Sequence, residues 1–338
     1  MSAGHPSPEP VDAPAEGRRD LLRWVGSVLG AVLCLAALVG VAAHFHLAGN
    51  SWTVALGAFS GHLMSLGPLG VVAWVVARRR AAAVLALALT AVVVAVLAPS
   101  YVGGPAGGGG PSLTVLTANV RLGEADADSL VAEVRRTQAD VLLLQELTPE
   151  LRDQLAARGI DSLLPHSLLD TGPGADGIGL WSRWPLTDQV RDHLTFPYLS
   201  ARLELGDGLP RPTVLAFHAA GPWPQPADEW AQDLAALPGV LDRVAAAADG
   251  APVLVGGDFN ATWGNANFRA LLRDGYQDSA EQLGAQWTAT YPAGSAVPPL
   301  IGIDHLLVRG AGAESLRTVQ IPGSDHRGLL VRVALPDS

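Results

Sequence analysis

The 338-residue sequence contains no lysine and a single cysteine, Cys34. That one thiol lies inside an apolar run, so the rest of the chain can form no disulfide and offers no cysteine nucleophile. Charge of either sign is missing between residues 24 and 77. A bilayer core takes about 20 helical residues to cross, and this run covers two such lengths, with the polar stretch 44–51 as the turn between them. Arg78, Arg79 and Arg80 close it, and a third apolar run follows over 81–98. A cleaved signal peptide has one short apolar core, so three runs in succession favour three membrane helices over residues 21–98. Arg18, Arg19 and Arg23 precede the first run and the arginine triplet precedes the third, which puts both on the cytoplasmic side and everything after residue 100 outside.

Basic residues are scarce in the remainder as well. From residue 113 onward 16 Arg face 28 Asp and Glu, a net charge of −12. Such a charge repels polyanions, and nucleic acid is a poor partner for it. Residues 1–20, rich in Pro, Ala, Gly and acids, have the composition of a disordered tail. Residues 99–112, rich in Gly and Pro, read as a flexible linker that would keep the following domain, 113–338, within roughly 20 Å of the bilayer.

What that domain does contain is a series of apolar runs that each end in a polar residue. In Pro252-Val253-Leu254-Val255-Gly256-Gly257-Asp258-Phe259-Asn260 a buried strand meets two glycines, which let the backbone turn and leave Asp258 and Asn260 exposed. A carboxylate and a carboxamide two residues apart in extended chain point the same way. That suits a site where the Asp takes a proton from water while the Asn donates to an anionic oxygen. A strand closed by an Asx turn has the same pattern. Residues 112–119 alternate as a strand ending at Asn119, and Asp128 is the expected N-cap of a helix with Leu130, Val131 and Val134 on one face. Residues 140–146 read as a buried strand ending in Glu146, a candidate ligand for a hard divalent cation. Arg183 follows another strand and could meet a phosphate or cap the turn. His218 ends the strand 213–218, and a helix over 228–248 is expected to break at Pro238-Gly239. Asp304-His305 falls inside an apolar strand, where a buried charge needs a partner, and Asp325-His326 falls on a loop next to Gly323. Phe196, Pro197, Tyr198, Trp223 and Trp287 are loop-region apolar residues that could rest against lipid or pack beneath the loops.

Taken in order, Asn119, Gln145-Glu146, Ser182-Arg183-Trp184-Pro185, His218 with Pro222, Gly257-Asp258-Phe259-Asn260, Ile303-Asp304-His305 and Ser324-Asp325-His326 resemble the motif series of the endonuclease/exonuclease/phosphatase superfamily. That group contains DNase I, exonuclease III, inositol polyphosphate phosphatases and neutral sphingomyelinases, and the resemblance covers residues 113–335. It implies an α/β (α+β) fold, the DNase I-like four-layer α/β/β/α sandwich, here preceded by three transmembrane helices. It also implies a phosphoesterase dependent on Mg²⁺, with Mn²⁺ as the alternative. On this likeness Glu146 holds the metal with Asn119 and Asp325 near it, and Asp258 and Asn260 orient water and phosphate. His326 is oriented by Asp304, His218 is the second histidine, and Arg183 joins Asn260 and His218 as a phosphate contact. Asp258 and His326 both stand as candidates for the base. Three apolar runs ahead of such a domain resemble the VanJ-type membrane proteins of actinobacteria, associated with teicoplanin resistance. The expected function is hydrolysis of a phosphate-bearing lipid, a polyprenyl diphosphate, at the outer face of the cell membrane among its lipids. A small-molecule phosphate ester as substrate, a surface nuclease and a catalytically silent binding domain are the alternatives.

Overall fold

The computed structural model describes residues 13–104, 109–224 and 226–337. The chain divides into two compact units, one drawn from Met1–Ala42 and Gly61–Val96, the other from Ala43–Ser60 and Leu97–Ser338. Helix α1 (Ala13–Phe45) begins inside the stretch expected to be a disordered tail, whose residues 1–12 lie outside the described residues. Gly17–Phe45 and Arg80–Ser100 are each long and apolar enough to cross a bilayer, and a third crossing arises only if Ser51–Ala58 and Ser60–Val76 are counted together. The expected second span is therefore not one helix. It is divided into α2 (Ser51–Ala58), α3 (Ser60–Met64) and α4 (Gly67–Val76), and α5 (Arg80–Leu97) follows. Pro68, in the first turn of α4, has no N–H to donate back into α3, so the helix restarts there. Residues 43–60, expected to belong to the membrane helices, group instead with the C-terminal unit.

That second unit carries β1 (Ser112–Asn119), α6 (Ala127–Thr137), β2 (Val141–Gln145), α7 (Pro149–Ala157), α8 (Ile160–Leu163), β3 (His166–Asp170), β4 (Ile178–Ser182), β5 (Leu186–His193) and β6 (Pro197–Leu203). After these come β7 (Thr213–His218), α9 (Asp228–Ala247), β8 (Val253–Asp258), β9 (Tyr276–Asp278), β10 (Asp304–Arg309), β11 (Gly312–Gln320) and β12 (Arg327–Ala334). They make two six-stranded sheets, in the orders β11-β12-β1-β2-β4-β3 and β5-β6-β7-β8-β10-β9. The inward faces, with Val115, Leu143 and Leu180 on one sheet and Val214, Leu254 and Leu306 on the other, form a common core. The outer face of the first sheet packs Leu116, Leu142 and Leu144 against Leu130, Val134 and Leu151 of the helices. The outer face of the second packs Leu215, Phe217 and Val255 against Trp230, Leu234 and Leu237 of α9. Helix, sheet, sheet and helix are thus stacked in four layers, the arrangement that a strand buried on both faces requires.

Each sheet contains one parallel pair, β1 with β2 and β7 with β8, and each pair needs a crossover helix. In the first crossover the cap is Asp126, whose side chain accepts from Ser129 N, rather than the expected Asp128. In the second, α9 runs through Pro238 without the expected break. Its buried Trp230, Leu234, Leu237 and Leu241 contribute about 1.5–3 kcal/mol each, which exceeds the roughly 3 kcal/mol that an interior proline costs.

Candidate active site

Parallel pairing brings strand ends together. Asn119 is in register with Gln145, and His218 with Asp258. Antiparallel pairing adds the start of β10, where Asp304 lies opposite Asp258, and the start of β12, which His326 precedes. Six chain segments thereby deliver polar side chains to one end of the sandwich.

The glycines before Asp258 do not make a turn, as expected from the sequence, because β8 runs straight through them. A Cβ on Gly256 would sit 2.6 Å from Leu143 Cδ1 in the facing sheet, and one on Gly257 would collide with the Phe217 carbonyl oxygen. Their role is close approach, and it buries Asp258 to 1% exposure instead of exposing it. The chain then turns at Asn260, a left-handed residue with φ 48°, and Asn260 N donates to Asp258 Oδ1 at 2.8 Å. The Asx turn and the site are the same feature. Asn260 and Asp258 both line one cavity, and Asn260 Nδ2 donates to Ala219 O at 3.0 Å. Glu146, at φ 62°, and Leu122, at φ 52°, are two more cavity-lining residues in the left-handed region. Such strain is kept only where the surroundings enforce it.

Asn119 links the two sheets. Its Nδ2 donates to Glu146 Oε1 at 2.9 Å and to Asp258 Oδ2 at 3.1 Å. Leu122 N fixes the other Glu146 oxygen at 2.6 Å. His218 Nε2 lies 3.8 Å from both Glu146 Oε1 and Asp258 Oδ2, with Phe196 stacked on its ring. His326 Nδ1 is 2.9 Å from Asp304 Oδ2, and its Nε2 is 3.7 Å from Asp258 Oδ2. Burial pushes the Asp258 carboxyl up to about 6, opposed by the His326 imidazole and aided by Asp304. Burial alone would lower His326, yet Asp304 and Asp258 outweigh it and hold the imidazole up to about 10. Burial lowers His218, which favours its neutral imidazole, a hydrogen-bonding group. The site therefore pairs a proton acceptor with a proton-bearing imidazolium.

Glu146, His218, Asp258, Asn260, Asp325 and His326 line a cavity of about 880 Å³. Among the described residues its lining includes four carboxylates, those of Glu146, Glu229, Asp258 and Asp325, and no arginine. Arg183 is the site residue that does not arrive. It follows β4, whose Ser182 pairs with Val141 at the opposite end of β2 from Glu146, and its guanidinium holds Asp140 at 3.1 Å. Of the two roles open to Arg183 the structure takes the turn. Among the five apolar loop residues, Tyr198 is buried in β6 with its hydroxyl on Asp192, and Trp287 stacks on Tyr101. Phe196 and Trp223 line the cavity. Sequence reasoning missed Tyr291, whose ring lies 5.0 Å from that of His326, and the anchoring amides Asn265 and Asn267. The Asn267-Phe268 stretch reads as ordinary helix, which hides the amide's contact 219 residues away.

Residues 116–326, more than half of the chain, match the sequence profile of the Endonuclease/Exonuclease/phosphatase family. The chain belongs to that family. Membership makes it a hydrolase of the phosphoester-cleaving type, from a family that typically works with a divalent cation. Among solved structures, a humanized D. rerio TDP2 is similar, with 18% identity and a TM-score of 0.55 over 66% of this chain and 98% of that one. An endonuclease/exonuclease/phosphatase from Bacteroides vulgatus gives 14% identity and a TM-score of 0.54 over 67% of this chain and 99% of that one. A functionally unknown conserved protein from Enterococcus faecalis gives 18% and 0.52 over 66% and 99%. At these identities the likeness is one of fold. No curated protein matches the chain significantly.

Proposed function

We propose that the chain is a membrane-anchored phosphoesterase whose catalytic domain faces outward and hydrolyses a lipid-linked phosphate, of the polyprenyl diphosphate kind, in a Mg²⁺- or Mn²⁺-dependent reaction. The observation that carries the reading is the convergence of Glu146, Asp258, His218 and His326 from two sheets on one cavity, with Asn119 bonded to Glu146 and Asp258. Hard oxygens suit Mg²⁺, and four carboxylates without an arginine would repel a phosphate unless a cation lay between them. Glu146, with Asn119 and Asp325 beside it, would hold that cation. Asp258, Asp304 and His326 also form a ligand-like group within 4.8 Å, but Asp304 and His326 are engaged with each other and read as a proton relay. When bound, the cation offsets charge on the phosphoryl oxygens and orients the ester.

The protein's own groups do the rest. Asp258 accepts the proton of the attacking water, its carboxylate held by Asn260 N and Asn119. His326, kept protonated by Asp304, donates to a phosphoryl oxygen, and neutral His218 adds a hydrogen bond. The −12 charge of residues 113–338 and the apolar helices before them favour a substrate delivered by a membrane over duplex DNA. A role in recycling cell-wall lipid, and through it in glycopeptide resistance, would follow from such a substrate. The test is release of inorganic phosphate from a polyprenyl diphosphate by the purified protein in detergent with Mg²⁺ or Mn²⁺, beside plasmid DNA. Plasmid breakdown that outpaces phosphate release would replace this reading with a nuclease.

A further inference from the structure

One wall of the catalytic cavity comes from a part of the chain more than 160 residues away from Asp258 in sequence. Ser51, Trp52, Val54, Ala55, Ala58 and Phe59 of the segment containing α2 face the same 880 Å³ space as Glu146 and His326. The segment is fastened, not merely adjacent. Asn50 caps α2 with a reciprocal bond to Thr53, and the loop after Asn260 grips the helix from the other side. Asn265, 1% exposed, donates from Nδ2 to Val54 O at 3.0 Å. Asn267 accepts from Ala48 N at 2.8 Å, and Ser51 Oγ donates to Pro222 O at 2.8 Å. A Cβ on Gly57 would lie 2.5 Å from Asn265 Nδ2, so the backbone approach is as close as glycine permits. The outward side is left apolar, with Trp52 78% exposed, and Trp223, another residue of the lining, is 74% exposed. Two tryptophans in water beside a catalytic pocket are an unfavourable surface unless something apolar covers them.

Resting on the phosphoesterase reading above, we propose that α2, with Trp52 as its principal contact, is the subsite for the hydrocarbon chain of an amphiphilic phosphate ester and sets the chain length that the enzyme prefers. Two observations choose a hydrocarbon as the occupant. The apolar wall is continuous with the acidic floor, so one molecule with a phosphate head and an apolar tail fits both. The segment is also covalently bracketed by α1 and by α3 and α4, all apolar, so a lipid phase is the solvent that its flanking sequence prefers. A nucleic acid would bring further phosphates against the carboxylates of the lining, and a peptide would bring no phosphate to the site.

The test compares isopentenyl diphosphate with farnesyl diphosphate on the full-length protein in detergent, for wild type, Trp52→Ser and Ala55→Phe. Trp52 and Ala55 are exposed, so neither change removes core packing. Wild type should favour the longer chain in kcat/KM. Trp52→Ser should reduce the farnesyl-to-isopentenyl ratio about tenfold, the value of one lost aromatic contact, and Ala55→Phe should reduce it by narrowing the wall. Unchanged ratios in both variants, or a wild type indifferent to chain length, would overturn the subsite and leave the phosphoesterase standing. A wild type that releases phosphate from neither compound would remove both.

Discussion

Asn119 Nδ2 lies 3.1 Å from Asp258 Oδ2, so that one side-chain amide of the first sheet holds a buried carboxylate of the second. The same nitrogen also reaches Glu146. A single residue therefore sets the distance between the group that would hold a cation and the group that would accept a proton.

Replacing Asn119 by Ala should lower kcat about 10- to 100-fold, as loss of an orienting partner does at ligand shells. The change also removes the Oδ1 that accepts from Arg121 N at 2.8 Å, so a thermal melt beside the assay separates lost folding from lost turnover. Steady-state phosphate release checks this, and a variant within twofold of wild type would remove the bridge from the mechanism.

Activity should depend on pH as a plateau with two limbs. Asp258 must be deprotonated to accept a proton, so turnover should fall as pH drops through about 6. His326 must carry its proton, so turnover should fall as pH rises through about 10. Asp304→Asn weakens the hold on that proton and should move the alkaline limb to lower pH, while Asp258→Ala and His326→Ala should each cut turnover by roughly 10² or more. An alkaline limb that stays put in Asp304→Asn would separate His326 from the limb.

Chelation should abolish phosphate release, and Mg²⁺ or Mn²⁺ should restore it. Glu146→Gln keeps the shape and removes the charge, so it should raise the cation concentration for half-maximal activity about 10- to 100-fold. Titration of cation against rate reads this directly. An unchanged half-point would move the cation away from Glu146.

The arginines around α1 and α5 predict that a reporter fused after Ser338 works only outside the cytoplasm. A paired set of enzyme fusions, one active on each side, measures it. Activity confined to the cytoplasmic reporter would reverse the orientation and exclude lipids of the outer leaflet.

Much of the site was legible because strand ends carry a local signal. Apolar runs ending in Asn119, Glu146, His218 and Asp258 can be read one at a time, and parallel register then places them together. Arg183 shows the limit. Its run looks the same, but β4 is antiparallel to β2, and only pairing reveals that its end points away. The glycines at 256 and 257 misled for a related reason, because a turn and a close sheet contact demand the same absent side chain. Pro238 predicts a break from its local sequence, and the packing that overrides it comes from outside that stretch. The segment 43–60 was the largest miss. Its composition is that of its membrane neighbours, and what assigns it elsewhere is two asparagine amides more than 200 residues away.

The left-handed backbone at Glu146 and Asn260 has a consequence for how this enzyme could be altered. Each such residue costs of order 1–3 kcal/mol that glycine would not. At 146, glycine would also remove one charge from a cavity already crowded with carboxylates. Selection for heat resistance alone would therefore drift toward glycine at these two positions and discard turnover on the way, so that screens for robust variants of this protein must be coupled to activity from the first round.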